Sequence, residues 1–419
     1  MVEAIEQLTR ALDQIATLPS TPALRRDEIE LQVALINPLQ HVKGLPAPET
    51  KAVAERACLL IEQAEALGEP TEDPLLLFSA LNALWITYAV GFNGDVAREL
   101  AAQMLALAEK QGGKVPLVLG HHYMGAVLVF LGNFAEALLH QDRVIALYDP
   151  VEHRPLATRF GQDIRATAFV CRSLGLWALG YPEAALAFAE QALSEARETG
   201  DPGALLNTMS IACITQLISG NYAAAKTQLD EMLALAEEKG SVTWKASGML
   251  RRASLLALTG KTSDAVSIFT SAIPVWRSTG AKLFFPVWLS HFARACAELG
   301  EFNEAWSYIA EAMTAVETTK QNWNEAEVHR IAGEIALMSP KPDVAKAEDC
   351  FERALAVARE QQAKSWELRT AMSMAGLWRD QGKRDEAREL LAAVYGWFTE
   401  GFDTLDLKQA KALLDELAA

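Results

Sequence analysis

Four glycines, Gly180, Gly220, Gly260 and Gly300, stand forty residues apart, each inside a short turn: Leu179-Gly180-Tyr181, Ser219-Gly220-Asn221, Thr259-Gly260-Lys261 and Leu299-Gly300-Glu301. A second series, Gly200, Gly240 and Gly280, has the same spacing and is continued by Lys320. Glycine is the residue that most readily takes the left-handed conformation closing a helix, so each period reads as two helical stretches with glycine punctuation. Two helices of roughly 16 residues span about 24 Å each at 1.5 Å per residue. Small residues keep step with the glycines. Ala185, Ala225, Ala265 and Ala305 follow the turn, and Ser173, Cys213, Ala253 and Ala293 precede it. Small side chains at matched places let paired helices approach closely while larger neighbours interdigitate. The pattern predicts an all-α solenoid of antiparallel helix pairs, each contacting its neighbours along the stack. It extends outward through Gly132 with Gly125 and Ala137, and through Gly382 with Ala375 and Ala387. Between Gly300 and Gly382, Ser339-Pro340-Lys341-Pro342 occupies the expected turn in lengthened form.

The repeat departs from regularity twice. Gly132 and Gly180 are separated by 48 residues, and the excess falls in YDPVEHRPLATRFGQD, residues 148–163. Insertions in solenoids become loops on one face, often the functional one. At the start, EAIEQLTRALDQIA matches the second helix of a pair, with Ala4, Leu8 and Ala11 on one face. The expected organisation is one continuous solenoid, with N-terminal pairs over residues 1–150 that begin in mid-pair, as if cut from something longer, and regular repeats over 151–419.

Charge narrows the partners. The 54 acidic residues outnumber the 38 basic ones, for a net −16, and no cluster of Lys and Arg offers counterion release to a nucleic acid. Neither nucleic acid nor an anionic membrane is an expected partner. The uncharged stretches Pro74–Gly94, Val115–Phe134 and Gly203–Ala225 each fall where the period places a first helix, so they read as buried helices. The five cysteines are far apart, without a C-x-x-C pair, as in a reducing, cytoplasmic setting. No metal or cofactor is implied: His121-His122 sits in an apolar helix without an H-E-x-x-H, and Gly260-Lys261-Thr262 lacks the earlier loop glycine, position 255 being Leu255.

Binding therefore outranks catalysis. On the first helices, which line the concave groove of such stacks, Thr167, Val170, Trp177, Asn207, Ser210 and Ile214 take groove positions, followed by Arg294, Arg330, Arg369 and Arg379. Such a lining suits a ligand with an apolar body and an anionic end. The competing reading pairs these arginines with Glu298, Glu327 and Glu334. Trp244, Phe284, Trp323 and Trp366, near the starts of successive first helices, read as staples closing each turn between pairs. The insertion offers Arg159, Gln162 and Asp163 beside Tyr148, His153 and Arg154, with Asp163 also suited to cap the next helix.

Paired small residues, with an aromatic after the turn (Phe134, Tyr181, Tyr222, Phe302), resemble tetratricopeptide repeats of lengthened period. More specifically, Phe160-Gly161-Gln162-Asp163, LWALGYPEAALAFAEQAL and Tyr395-Gly396-Trp397-Phe398-Thr399-Glu400-Gly401-Phe402-Asp403 resemble the tetratricopeptide region that ends bacterial adenylate/guanylate cyclase–ATPase fusion proteins. The resemblance covers essentially the whole chain, and no position matches the cyclase or ATPase domains. It implies a non-catalytic regulatory module that binds a protein segment, or its own parent domains, in the concave groove. A weaker similarity to the helical sensor of maltotriose-responsive transcription activators implies, as an alternative, a small-molecule sensor. A closed α/α-toroid enzyme is the remote third reading.

Overall fold

The computed structural model describes residues 2–69 and 72–419, and its regular elements are helices. Helix α1 (Val2–Ala16) packs on α2 (Pro22–Lys43), which pairs with α3 (Pro48–Ala66). Two further pairs follow, α4 (Leu76–Val90) with α5 (Gly94–Gln111) and α6 (Lys114–Leu131) with α7 (Phe134–Leu147). The insertion folds as two short helices, α8 (Pro150–His153) and α9 (Ala157–Phe160), joined by a 3-10 turn at Arg154–Leu156. The regular repeats then run as α10 (Ile164–Ala178) with α11 (Pro182–Thr199), α12 (Pro202–Ile218) with α13 (Tyr222–Glu238), and α14 (Val242–Leu258) with α15 (Thr262–Ser278). They continue as α16 (Phe285–Glu298) with α17 (Phe302–Thr319), α18 (Glu325–Met338) with α19 (Val344–Glu360), and α20 (Lys364–Asp380) with α21 (Arg384–Tyr395). Helix α22 (Leu405–Ala418) packs on α20 and α21. First helices stack on first helices from α2 through α22, which makes the chain a tetratricopeptide-like α-solenoid.

The local reasons are those of the repeat. Gly180, Gly220, Gly260 and Gly300 close their helices at φ +94°, +72°, +75° and +84°, and Lys320 takes the same left-handed conformation at +62°. The chain reverses there with the 6→1 bond expected of such a cap, as where the Lys261 N–H donates to the Leu256 carbonyl at 2.9 Å. All eight small residues matched in the four central periods are fully buried. Helix α6 is apolar and long enough to cross a membrane, at a mean hydropathy of 1.4, and 67% of it is buried inside the solenoid.

The solenoid winds tightly enough to return onto itself four to five pairs later. The Val90 carbonyl, at the end of α4, accepts from the Lys282 and Leu283 N–H groups at 2.8 and 3.1 Å, just before α16. The Phe130 carbonyl of α6 accepts from the Trp323 N–H at 3.2 Å. The Trp177 carbonyl of α10 accepts from the Ser365 hydroxyl, and the Ile218 carbonyl of α12 from Arg369 Nη2 at 2.6 Å. The last carbonyls of a helix have no partner within it. Here the following winding supplies one.

An aromatic column runs along the same seam. Ring centroids lie 5.3 Å apart for Phe130–Phe284, 5.9 Å for Phe284–Trp323, 6.4 Å for Trp323–Trp366 and 4.5 Å for Trp177–Trp366. Phe284, Trp323 and Trp366 thus join windings, a longer-range task than the local staple expected of them, whereas Trp244 is only half-buried. The Tyr395–Asp403 motif ends the seam: Trp397 meets Tyr181 at 5.4 Å, and Glu400 accepts from the Ala184 N–H at 2.9 Å, in the first turn of α11.

Two glycine substitutions separate the cap from the seam. A Cβ at Gly180 would lie 2.5 Å from Trp397 Cζ3 and 2.9 Å from Lys364 Cβ, whereas one at Gly260 would meet nothing within 4 Å. Gly260→Ala should cost the left-handed backbone penalty alone, about 1–2 kcal/mol. Gly180→Ala should cost about 1–3 kcal/mol more, because the seam is overpacked as well. Urea denaturation measures both. Equal losses would mean that the windings do not bear on one another.

Candidate binding pocket at the insertion

The insertion is positioned by its two ends. Asp149 caps α8 by accepting from the Val151 N–H at 2.9 Å, and Asp163 caps α10 by accepting from the Ala166 N–H at 2.7 Å. Between them the chain turns inward over the concave face. The Asn82 amide donates to the Phe160 carbonyl at 3.4 Å, Arg159 Nε donates to the Ser79 hydroxyl at 2.7 Å, and Arg159 Nη1 lies 2.7 Å from Asp73 Oδ2. Gln162 comes to rest against His122 and Tyr123 of α6.

A pocket of about 320 Å³ opens between α2, α4 and α9, lined by Glu30, Val33, Ala34, Ile36, Asn37, Asp73, Leu76, Ser79, Asn82 and Arg159. A second depression of about 270 Å³ shares Glu30 and Leu76 and adds Ala23, Arg26, Asp27 and Glu72. Behind the pocket wall lies a buried polar layer. The Tyr123 hydroxyl donates to Asn82 Oδ1 at 2.7 Å. His122, Gln162 and the Trp85 indole are buried together there. Burial lowers the His122 pKa to about 4, which keeps the ring neutral at pH 7.

The remaining groove positions are occupied by the protein itself. Trp177 is 2% exposed, in the seam. Ser210 is buried, and its carbonyl accepts from Arg251 Nε at 2.7 Å; Asn207 is half-buried. The groove arginines are paired, as the competing reading had it. Arg294 reaches Glu298 at 3.1 Å and Glu334 at 3.2 Å. Arg330 holds Glu327 through two bonds of 2.6 and 2.8 Å and also pairs with Glu334. Arg369 Nε donates to Asp406 at 2.8 Å, with Glu327 at 3.4 Å from its Nη1. Burial would raise the Glu327 carboxyl, but Arg330 and Arg369 outweigh it and hold the pKa at about 2. Arg379 likewise pairs with Asp380 and Glu416.

Of the three insertion residues, Arg159 lines the pocket, Gln162 belongs to the layer behind it and Asp163 is a helix cap. Asn82, Ser79, Glu30 and Asn37 were not foreseen. A signal for two of them existed, since Ser79 and Asn82 hold in α4 the register positions that Asn207 and Ser210 hold in α12. Helix α2 carries no such marker, because Gly44 stands outside both glycine series. Chemically, the pocket supplies hydrogen-bond donors, acceptors and charge around an apolar strip, which is the equipment for holding a ligand.

No protein-family model and no curated protein matches the sequence. Among solved structures, a Rap protein complexed with competence and sporulation factor superposes with a TM-score of 0.60 at 13% identity, covering 93% of this chain and 99% of that one. The apo quorum sensor NprR from B. thuringiensis gives 0.50 at 12% identity, covering 88% and 98%. A signal transduction ATPase with a tetratricopeptide repeat sensor from Pyrococcus horikoshii gives 0.40 at 12%, covering 88% of this chain and 55% of that one. At such identities the likeness to the first two is one of fold: a helical-repeat architecture over nearly the whole chain.

The buried histidines predict a pH response. The folded pKa of His122 lies below its ordinary value of 6.5, so the unfolded chain binds the proton more readily. The stability this neutral ring contributes is fully present above pH 6.5 and is lost as pH falls toward 4. His291, lowered by burial to about 4 as well, loses stability over the same interval. Thermal melts should fall between pH 7 and 4, and His122→Gln should remove part of that fall, the rest belonging to His291 and to His121 and His140, whose pKa values burial also lowers. An unchanged slope in the variant would place the titration elsewhere.

Proposed function

We propose that the chain is a non-catalytic regulatory module that binds a peptide or protein segment on its N-terminal inner face, in the pocket between α2, α4 and α9. The observation that carries this reading is the contrast between the two halves of the concave face. Aromatic packing and paired charges fill it from α10 onward, while a pocket lined by polar side chains stays open at the insertion. Val33, Ala34 and Leu76 set an apolar strip beside these polar groups, and concave sites that combine the two are where proteins bind ligands. The shared fold adds support, since the Rap protein was solved with a factor bound. The resemblance to cyclase–ATPase fusions suggests that the regulated partner is a signalling enzyme in the cytoplasm, attached or separate.

A small-molecule sensor is the second reading, favoured by the volume of about 320 Å³, which lies at the small end of ligand pockets. Native mass spectrometry of freshly purified protein separates the two, because a retained small molecule supports sensing. For the first reading, random heptapeptides displayed on phage should yield binders to the full chain. Ala34→Trp, which fills the pocket from the exposed face of α2, should weaken those binders at least tenfold, a loss of about 1.4 kcal/mol. Arg379→Gln, on a first helix far along the solenoid, should leave them unchanged. The opposite ranking would move the site to the C-terminal face.

A further inference from the structure

We propose that this pocket selects a basic side chain, a lysine or arginine of the bound segment, and that Glu30 and Asp27 of α2 are its counter-charges. The inference rests on reading the pocket as a peptide site. Its charges decide the sign. Around the pocket and its adjoining depression stand Arg26, Asp27, Glu30, Glu72, Asp73 and Arg159, four carboxylates to two guanidiniums. Arg26 pairs with Glu72 at 3.3 Å and Arg159 with Asp73 at 2.7 Å. No ion pair forms between Asp27 or Glu30 and the described residues. These two carboxylates lie one helical turn apart on α2, and Glu30 belongs to both depressions, at the place where they meet.

The sequence alone offered an anionic ligand end as one of two readings for the groove arginines Arg294, Arg330, Arg369 and Arg379. In the pocket, however, Arg159 is already engaged by Asp73 on one side and by the Ser79 hydroxyl on the other. An incoming carboxylate would have to displace Asp73 and would face Glu30. A cation meets the reverse conditions, since it replaces solvent around two carboxylates that no ion pair among the described residues engages. The shape agrees. Val33, Ala34 and Leu76 form an apolar strip that suits the methylene stem of Lys or Arg, whose head stays at the polar rim. The excess of acid over base in the whole chain acts in the same direction, steering cationic segments toward the surface.

The test uses the full chain and the same displayed heptapeptides. Selected sequences should be enriched in Lys or Arg at one position, and replacing that residue by norleucine in the synthetic peptide should raise Kd at least tenfold. Glu30→Gln should lose the same factor, and combining the two changes should add little further. Glu30 is exposed, so the variant's melting curve should match the parent's and folding should not intervene. Peptides selected without a basic preference, or bound equally by Glu30→Gln, would overturn the charge rule while leaving peptide binding intact. Spermidine supplies the converse control. If no peptide is selected but spermidine binds and Glu30→Gln loses it, charge selection stands and the peptide reading falls. If neither binds, both fall.

Discussion

Everything about the inner face of this solenoid depends on the contact between its successive windings. An ordinary helical-repeat array is held by neighbouring units alone, and its groove stays open along the axis. Here four carbonyls at the ends of first helices, Val90, Phe130, Trp177 and Ile218, take hydrogen bonds from the next winding. The bonds answer a need that every helix end has. Each of the large aromatic rings that fill the axis behind them can bury 150–250 Å². The C-terminal end is drawn in by the same means, through Trp397 on Tyr181 and Glu400 on the first turn of α11. Sequence-distant pairs are thereby coupled, and the chain acquires a closed core that repeats in a row do not have.

Closure sorts the polar residues. A charge carried into the axis must bring its partner, and Arg330 and Arg369 enter with Glu327, Glu334 and Asp406. Arg251 is the exception, fully buried with its guanidinium over Phe284 and Trp288 at 5.2 and 5.3 Å and bonded to neutral oxygens of Ser210 and Ser247. Ring faces attract a cation most when water is excluded, so the aromatic column offsets part of the cost of that buried charge. The seam and the charge network are thus parts of one packing solution. They leave the C-terminal concave surface with its charges answered from within.

The insertion does the opposite at the other end. Eight residues beyond the period let α9 reach across the inner face of α4 and α6, where Phe160 and Arg159 bond to Asn82 and Ser79. It covers that face incompletely. The pocket against α2 stays open.

The sequence by itself determined the helix pairs, their boundaries and their close approach, because these are local matters. A glycine at φ +75° and an alanine beneath the opposite helix leave marks at fixed spacing whatever lies beyond the pair. The insertion was legible for the same reason, as a break in that spacing, and so was the cap at Asp163. How far the solenoid curls was not legible. Curvature accumulates from small rotations between pairs, and no single residue records it. Only the tertiary structure decided that Trp177 and Trp366 meet across 188 intervening positions' worth of chain, where Ser365 bonds to the Trp177 carbonyl. Once that contact closed the axis, it also decided that Arg294, Arg330 and Arg369 would be answered by acids, and that α2, which carried no mark of its own, would supply a wall of the pocket.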